Sequence, residues 1–307
     1  MNLFCKNTES IRKILLFIFF FSAFVSLKAQ FTYGTTGLMN MPTADMQKDK
    51  TFMFGGGYLE KHASTGRWFY DTWNYYVNIT FFPWMEFAYT LNLHKAVVKD
   101  PALPGGYWVP YTYGKFINQD RSFHIRFRLW KEGWWKEWTP QIVIGSNDVI
   151  GDSWNGGSLS NPTTYKGNGF LNRYYIAATK HVEFTHIGDL GAHLSWVYNK
   201  RPEYKLNGLC VGANFRFKLK EDGTIWRRAV NGLNVMAEAY PADGQGVFYN
   251  AQLDGKNHKT YDRGVHIGKY DINIGACYSV WKDRINLYGE LYGCKDFSGG
   301  IQFKVHL

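Results

Sequence analysis

Ser122 and His124 combine residue types and a spacing that could support covalent catalysis. They lie two positions apart in an alternating segment, so their side chains share one face of a strand. A serine beside a histidine, oriented by a nearby asparagine, can form a nucleophile relay. Any alternating strand often produces such pairs, and the sequence has neither a G-x-S-x-G nor an H-E-x-x-H motif. We therefore predict no catalytic residue, and a hydrolase is kept only as an alternative.

The other reactive side chains point to no metal, cofactor or redox centre. The nine histidines are dispersed, and no C-x-x-C spacing suggests zinc or a thiol pair. Beyond Cys5 the cysteines are Cys210, Cys277 and Cys294, which we expect to be small interior residues, with their disulfide state left open. The net charge is +10, but no basic run exceeds two residues, so we predict no nucleic-acid partner.

Alternation of apolar and polar residues organises most of the chain. The segment 120–130 reads DRSFHIRFRLW, in which four apolar residues oppose four polar or charged ones. We predict twelve strands, with fourteen as an alternative, near residues 51–60, 70–81, 84–95, 120–131, 139–149, 172–182, 185–198, 206–219, 232–242, 270–280, 284–293 and 299–307. Most of these are long enough to cross a bilayer at a tilt.

The connections between these strands differ in length according to their position. The even-numbered connections, counted along the chain, are short in most cases. The odd-numbered ones include long loops at 96–119, 150–171 and 243–269. Short turns on one side, long loops on the other and an even strand number are typical of an outer-membrane barrel. The fold class that we predict is all-β, a transmembrane antiparallel up-and-down β-barrel.

Composition and tryptophan positions favour the same fold. Aromatic residues make up 18% of the 307 residues, while the mean hydropathy is −0.33, which excludes a disordered chain and a multi-helix membrane protein. Five tryptophans fall at the proposed turns, as a membrane-interface girdle requires; they are Trp84, Trp134, Trp135, Trp138 and Trp281. Core tryptophans of a soluble β-domain are the alternative.

Residues 1–30 have the pattern of a secretory signal peptide. Lys6, Arg12 and Lys13 precede an apolar run at 14–27, which is short for a membrane-spanning helix of about 20 residues. We predict cleavage after Gln30, export, and localisation to the cell outer membrane. A membrane anchor is the alternative. The predicted domains are then the signal peptide at 1–30, a motif segment at 31–50 and the barrel at 51–307.

Strand parity assigns a set of polar side chains to the barrel interior. They are candidates for contacting a sugar polymer by hydrogen bonding and ring stacking. The charged or titratable candidates are Glu86, His94, His124, Arg126, Arg128, Glu238, Glu290 and Lys304, and the same parity adds His306, Asn74, Asn78, Asn92, Tyr288 and Tyr292. The alternative is that these groups pair across a closed interior and only stabilise the barrel.

The segment 31–50 departs from the alternating pattern. Gly34, Gly37 and Pro42 interrupt any strand ladder, yet Met41 and its apolar neighbours need cover. We predict that this segment lies in or under the lumen and acts as a plug, with a flexible export leader as the alternative.

Several motifs resemble those of one family in both content and order. GTTGLMNMPTA at 34–44 is followed by DRSF at 120–123, by PQIVIG at 140–145 with Asp148 and Gly151, by YIAATK at 175–180 and by Gly188 and Gly191. This series resembles the YjbH family, also written YbjH, of outer-membrane proteins associated with exopolysaccharide biosynthesis. The resemblance covers about residues 31–200 well, and many family members are roughly twice as long.

The resemblance implies an outer-membrane location and an association with exopolysaccharide or capsule production, usually with a small lipoprotein and periplasmic partners. It implies no demonstrated catalytic residue. We predict a barrel that assists polysaccharide biosynthesis or export, as a conduit or an assembly component, in contact with outer-membrane lipid, lipopolysaccharide and exopolysaccharide. An outer-membrane lipid- or polysaccharide-modifying enzyme and a passive porin-like barrel are the alternatives.

Overall fold

The chain forms a closed antiparallel β-barrel in a computed structural model. The structure describes residues 32–60, 70–96, 117–148, 173–198, 207–220, 222–241, 266–267, 270–281 and 283–307. The predicted signal peptide at 1–30 and most of the three predicted long loops lie outside these residues. Within the described ranges, no helix combines the length and apolarity needed to cross a bilayer.

The described residues form thirteen strands and one short helix. The strands are β1 (Thr51–Leu59), β2 (Tyr70–Phe82), β3 (Met85–Ala96), β4 (Ile117–Trp130), β5 (Gln141–Asn147), β6 (Arg173–Phe184), β7 (Gly188–Tyr198), β8 (Gly208–Phe217), β9 (Leu233–Pro241), β10 (His266–Ile267), β11 (Tyr270–Val280), β12 (Ile285–Tyr292) and β13 (Asp296–His306), and the helix α1 spans Ile225–Asn231. All strands except β10 were predicted, so the all-β barrel of twelve strands is confirmed.

The strand pairing follows the chain around the barrel. Apart from β10, the twelve strands each pair antiparallel with the next strand along the chain, and β9 pairs with β11. The ring closes where β1 pairs with β13, from Thr51 opposite His306 to Tyr58 opposite Gly299. The two-residue β10 pairs only with the start of β11. Helix α1 lies in the β8–β9 connection and was not predicted, because seven residues are too few to show a helical period.

The two ends of the barrel differ in their connections. The links β2–β3, β4–β5, β6–β7, β8–β9 and β11–β12 all lie at one end, here called the turn end, and the opposite end is the loop end. The five tryptophans predicted to form a girdle lie in or beside these links and are 47–66% exposed. Amphipathic aromatic rings at one rim are typical of the boundary between lipid and water.

Strand β2 shows how alternation sorts side chains between the two faces. Trp73, Tyr75 and Val77 point outward and are 38–46% exposed, whereas Asn74 and Asn78 are buried inside. The outer face of the barrel is therefore apolar and its interior polar, which is the arrangement of a barrel that spans a membrane.

Candidate functional site: the barrel lumen

An irregular stretch of chain, residues 32–47, fills the lumen. Every residue of this lumen segment is buried, although its only β-contact is an isolated bridge between Gly37 and Pro42. The predicted placement of a non-strand N-terminal segment in the lumen is confirmed.

The lumen segment runs along the barrel axis before it enters β1. Near the loop end, the carbonyl oxygen of Thr32 accepts a hydrogen bond of 2.6 Å from Nδ2 of Asn74. At the turn end, Oδ1 of Asp45 lies 3.4 Å from Nε2 of His181. The segment therefore spans both halves of the interior.

Buried carboxylates accept hydrogen bonds from the N–H groups of the segment. Both oxygens of Glu86 bind Thr36, one through the backbone nitrogen and one through the hydroxyl, each at 2.6 Å. Glu238 accepts from the backbone nitrogen of Asn40 at 2.9 Å, and the side-chain amide of Asn40 donates to Glu290. A buried donor left without an acceptor costs free energy, so these acids hold the segment at two levels.

Arg126 provides the opposite charge. Its guanidinium donates to the carbonyl oxygens of Thr36, Thr43 and Asp45, the last at 2.7 Å. Arg126 is fully buried on β4. One side chain thus binds two separate parts of the segment, at Thr36 and at residues 43–45.

Arg173 performs a similar role near the loop end. Its guanidinium donates to the carbonyl oxygen of Asn40 at 2.6 Å and to Oδ1 of Asn147 at the same distance. It also stacks on the ring of Tyr33, 3.6 Å from the ring centroid, and donates to the hydroxyl of Tyr240. A buried cation held by neutral oxygens and aromatic rings depends on all of them for its stability.

Two glycines allow the segment to pack closely. Gly34 has a φ of +64°, and a Cβ there would lie 2.6 Å from Cβ of Tyr76. On the barrel wall, a Cβ at Gly212 would lie 2.5 Å from side-chain atoms of Leu38 and Met41. The segment and the wall therefore pack this closely because Gly34 and Gly212 carry no side chain.

A charged cluster links the segment to the β4–β5 turn. The His181 ring contacts Glu132 as well as Asp45, with Nδ1 of His181 2.8 Å from Oε2 of Glu132. Lys180 lies 2.9 Å from the same carboxylate. Burial by itself raises the pKa of Glu132, but the hydrogen bonds from His181 and Lys180 outweigh it and lower that pKa to about 2.

Four of the eight predicted polymer-contact residues form hydrogen bonds with the segment. Its side-chain partners among them are Glu86, Arg126, Glu238 and Glu290. The predicted plug residues Gly34, Gly37, Met41 and Pro42 are all buried within the segment itself. The observed contacts are made with backbone and side-chain groups of the chain's own segment, and contact of these residues with a polymer stays a prediction.

Other predicted interior residues lie apart from the segment contacts. Lys304 is buried but pairs with Asp283 at 3.2 Å. The side chain of His94 lies outside the described part of the structure. Arg128 is only half-buried, because it lies toward the turn end of β4 beside a register shift, and His306 is exposed at the last position of β13. The register still gives both residues inward parity, since Arg128 lies opposite the buried Val143 and His306 opposite the buried Thr51. Their contact with a polymer stays a prediction.

Sequence reasoning missed Arg173 and Asn40. Arg173 begins β6 and has the same parity as Tyr175, so strand parity could have found it. Asn40 belongs to a segment without a strand or helix period. Nothing in its sequence context indicates that its backbone N–H, its backbone C=O and both atoms of its side-chain amide form hydrogen bonds.

Ser122 and His124 are both buried on the inner face of β4, but their surroundings do not form a nucleophile relay. Nε2 of His124 lies 2.9 Å from the hydroxyl of Thr90. Its Nδ1 lies 3.0 Å from Nδ2 of Asn147 and accepts from the backbone nitrogen of Asp148. Both ring nitrogens are therefore engaged by groups other than the serine.

Metal-ligating and thiol groups are dispersed in the part of the chain that the structure describes. No group of three His, Cys, Asp or Glu side chains there is placed to hold a metal ion. Cys210 and Cys277 are buried, Cys294 is half-buried, and all three have free thiols.

Replacing Arg126 by Met should destabilise the barrel by about 3 kcal/mol, because three buried carbonyl groups of the segment lose their donor. Urea unfolding of the detergent-solubilised protein, followed by tryptophan fluorescence, measures the change. Arg128→Met on the same strand is the matched control and should change stability by no more than about 0.5 kcal/mol. Equal effects of the two variants would contradict the role given to Arg126.

Replacing Glu132 by Gln should destabilise the protein at neutral pH by about 1 kcal/mol. The folded-state pKa of Glu132 lies below its ordinary value of 4.5, so its contribution is complete above that value and is lost as the pH falls toward about 2. Urea midpoints of the two proteins, measured between pH 7 and pH 2, should therefore converge at the acid end. Glu137→Gln in the same turn is the control, and a difference that persists unchanged at pH 2 would contradict this linkage.

Comparison with known proteins agrees with the motifs. The family model YjbH, described as "Exopolysaccharide biosynthesis protein YbjH", matches residues 29–159. The chain is 24% identical over 276 residues to the "Uncharacterized lipoprotein YjbH" of Escherichia coli K12, an alignment that covers 85% of this chain and 33% of that protein. The chain thus spans about a third of the length of the curated relative that it matches.

Two solved structures are similar to this chain at low identity. LpxR from Salmonella typhimurium aligns with a TM-score of 0.37 and 11% identity, covering 82% of this chain and 99% of LpxR. A mutant of the Rh. blastica porin aligns with a TM-score of 0.27 and 11% identity, covering 76% of this chain and 55% of the porin. Together with the matching motifs, the family model and the curated relative confirm that this chain resembles the YjbH family of exopolysaccharide biosynthesis proteins.

Proposed function

We propose that this chain is an outer-membrane component of exopolysaccharide production that works with its lumen closed, as an assembly component and not as an open conduit. The observation that carries the proposal is that residues 32–47 fill the interior and engage its charged groups. Glu86, Arg126, Arg173 and Glu238 all bind backbone groups of this segment. These are the groups that would otherwise be available to hydroxyl groups of a polymer.

Three observations support the outer-membrane location. The outer face of the barrel is apolar, tryptophans cluster at the turn end, and the matching relative is named a lipoprotein. The loop end would then face the cell exterior, and the turn end with α1 would face the periplasm, as is usual for such barrels. The link to exopolysaccharide rests on the description of the matching family.

The alternatives receive less support from the interior. A passive porin needs a water-filled channel, whereas this lumen holds sixteen buried residues of its own chain. An enzyme of the serine–histidine type needs a histidine nitrogen directed at the nucleophile, whereas both ring nitrogens of His124 bind other groups.

Deleting residues 34–44 should raise the single-channel conductance in planar bilayers, because the segment removed occupies the lumen. The deleted protein should still insert as a barrel, which its heat-modifiable gel mobility would report. Unchanged conductance of an inserted, folded protein would show that the segment does not close the lumen.

A disulfide lock tests whether polymer passes through the barrel. The backbone nitrogen of Ala44 lies 2.9 Å from Oγ1 of Thr179, so Ala44→Cys combined with Thr179→Cys places two thiols on the segment and on the wall. If the lumen stays closed during function, cells that carry the oxidised double variant should secrete as much exopolysaccharide as cells treated with reductant.

The single variants Ala44→Cys and Thr179→Cys are the matched controls, since they alter the same positions without a lock. Formation of the disulfide is checked by a gel shift on reduction. Secretion that falls only in the oxidised double variant would contradict the proposal and favour a conduit that the segment gates.

A further inference from the structure

The outer surface of the barrel carries a groove near the loop end, between β4 and β7. Its volume is about 480 Å³. Ser146 on β5 has Ile125 of β4 as its register partner on one side and Tyr174 of β6 on the other, and Tyr174 is in turn opposite Tyr198 of β7. These four residues form one row on the outer face, and the groove forms because Ser146 is the one small residue in that row.

The next outward row, toward the turn end, forms the apolar wall of the groove. Ile144, Ile176 and Trp196 are register neighbours there and are 38–52% exposed. The groove is therefore continuous with the apolar face that meets lipid. Hydrocarbon fills such a depression favourably, because it removes apolar surface from water and restores close contacts.

A cation lies on the same face above the groove. Arg121 has the parity of Ile125 on β4, so it points outward, and it is exposed. The two positions are four apart in the sequence, which places Arg121 about 13 Å along the strand from Ile125, toward the loop end. A charge is costly at the centre of a membrane but acceptable at its edge, where it attracts anionic headgroups. Arg121 thus marks the level at which phosphate groups are favoured.

We propose that this groove and Arg121 form a binding site for one molecule of lipopolysaccharide. An acyl chain lies in the groove over Ser146, and a phosphate of the same lipid pairs with the guanidinium of Arg121. The inference rests on the proposed outer-membrane location, because that location places the loop end in the leaflet that contains lipopolysaccharide. Tyr174 and Tyr198 belong to the row of the groove nearer the loop end, where amphipathic rings suit the junction of the acyl chain with its polar part.

The test uses the full chain purified from Gram-negative outer membranes in a mild detergent. Native mass spectrometry measures the lipopolysaccharide and the phospholipid retained per barrel. We expect about one lipopolysaccharide on the wild-type protein. Ser146→Phe fills the groove and Arg121→Gln removes the cation, and each should lower the retention about fivefold or more.

Matched controls keep the same chemistry at other positions. Ala178→Phe adds a ring to another outward position of β6, and Arg284→Gln removes a cation at the turn end. Both controls should retain lipopolysaccharide as the wild type does. Heat-modifiable mobility selects folded protein, and Ser146→Leu provides a smaller filling residue if the phenylalanine variant does not fold.

The outcomes separate this inference from the proposed function. The binding site alone would be overturned if all variants recovered from the outer membrane retained equal amounts of lipopolysaccharide. It would also be overturned if the Ser146 and Arg121 variants lost phospholipid but kept lipopolysaccharide. Recovery of the wild-type protein outside the outer membrane would overturn the proposed location and this site together. The disulfide lock, by contrast, tests the closed lumen and is unaffected by what binds the outer groove.

Discussion

The backbone of an irregular segment enclosed in a barrel must find hydrogen-bond partners inside it, and this requirement shapes the whole interior. Residues 32–47 have no strand neighbours to satisfy their N–H and C=O groups. Carboxylates on the wall take the N–H groups and guanidinium groups take the carbonyls. The segment needs these side chains for its backbone, and the side chains need the segment, because a buried polar or charged group without a partner is costly.

Strand β5 serves the interior and the exterior at adjacent positions. Gly145 has no side chain, and a Cβ there would collide with the ring of Tyr175, which lies on the inner side of β6. Ser146, the next residue, forms the floor of the outer groove. The two motifs PQIVIG and YIAATK, which carry part of the family resemblance, therefore meet at the barrel wall, where Gly145 lies opposite Tyr175.

The fold could be predicted almost entirely, because alternation is a local property. A strand displays its two faces within about ten residues, so β2 and β4 reveal their lipid and lumen sides without any knowledge of their neighbours. Local pattern could not show which lumen residues hold the segment. That depends on contacts such as Asn40 with Glu238, which are 198 positions apart. Parity also does not give the degree of burial near strand ends, where Arg128 lies beside a register shift and is half-buried.

The lumen segment also has a consequence for the order in which the protein can fold. It leads into β1, and β1 pairs with the last strand, β13, so the seam that closes the barrel joins the two ends of the strand series. Asn40 contacts Glu290, 250 positions away, and the site for the segment is therefore incomplete until β12 has been added. Contacts over such separations are formed late and slowly. Because the segment precedes β1 and also occupies the finished interior, its enclosure by the barrel is the final folding event. A protein that assists the pairing of β1 with β13 would therefore also control when the interior stops being accessible.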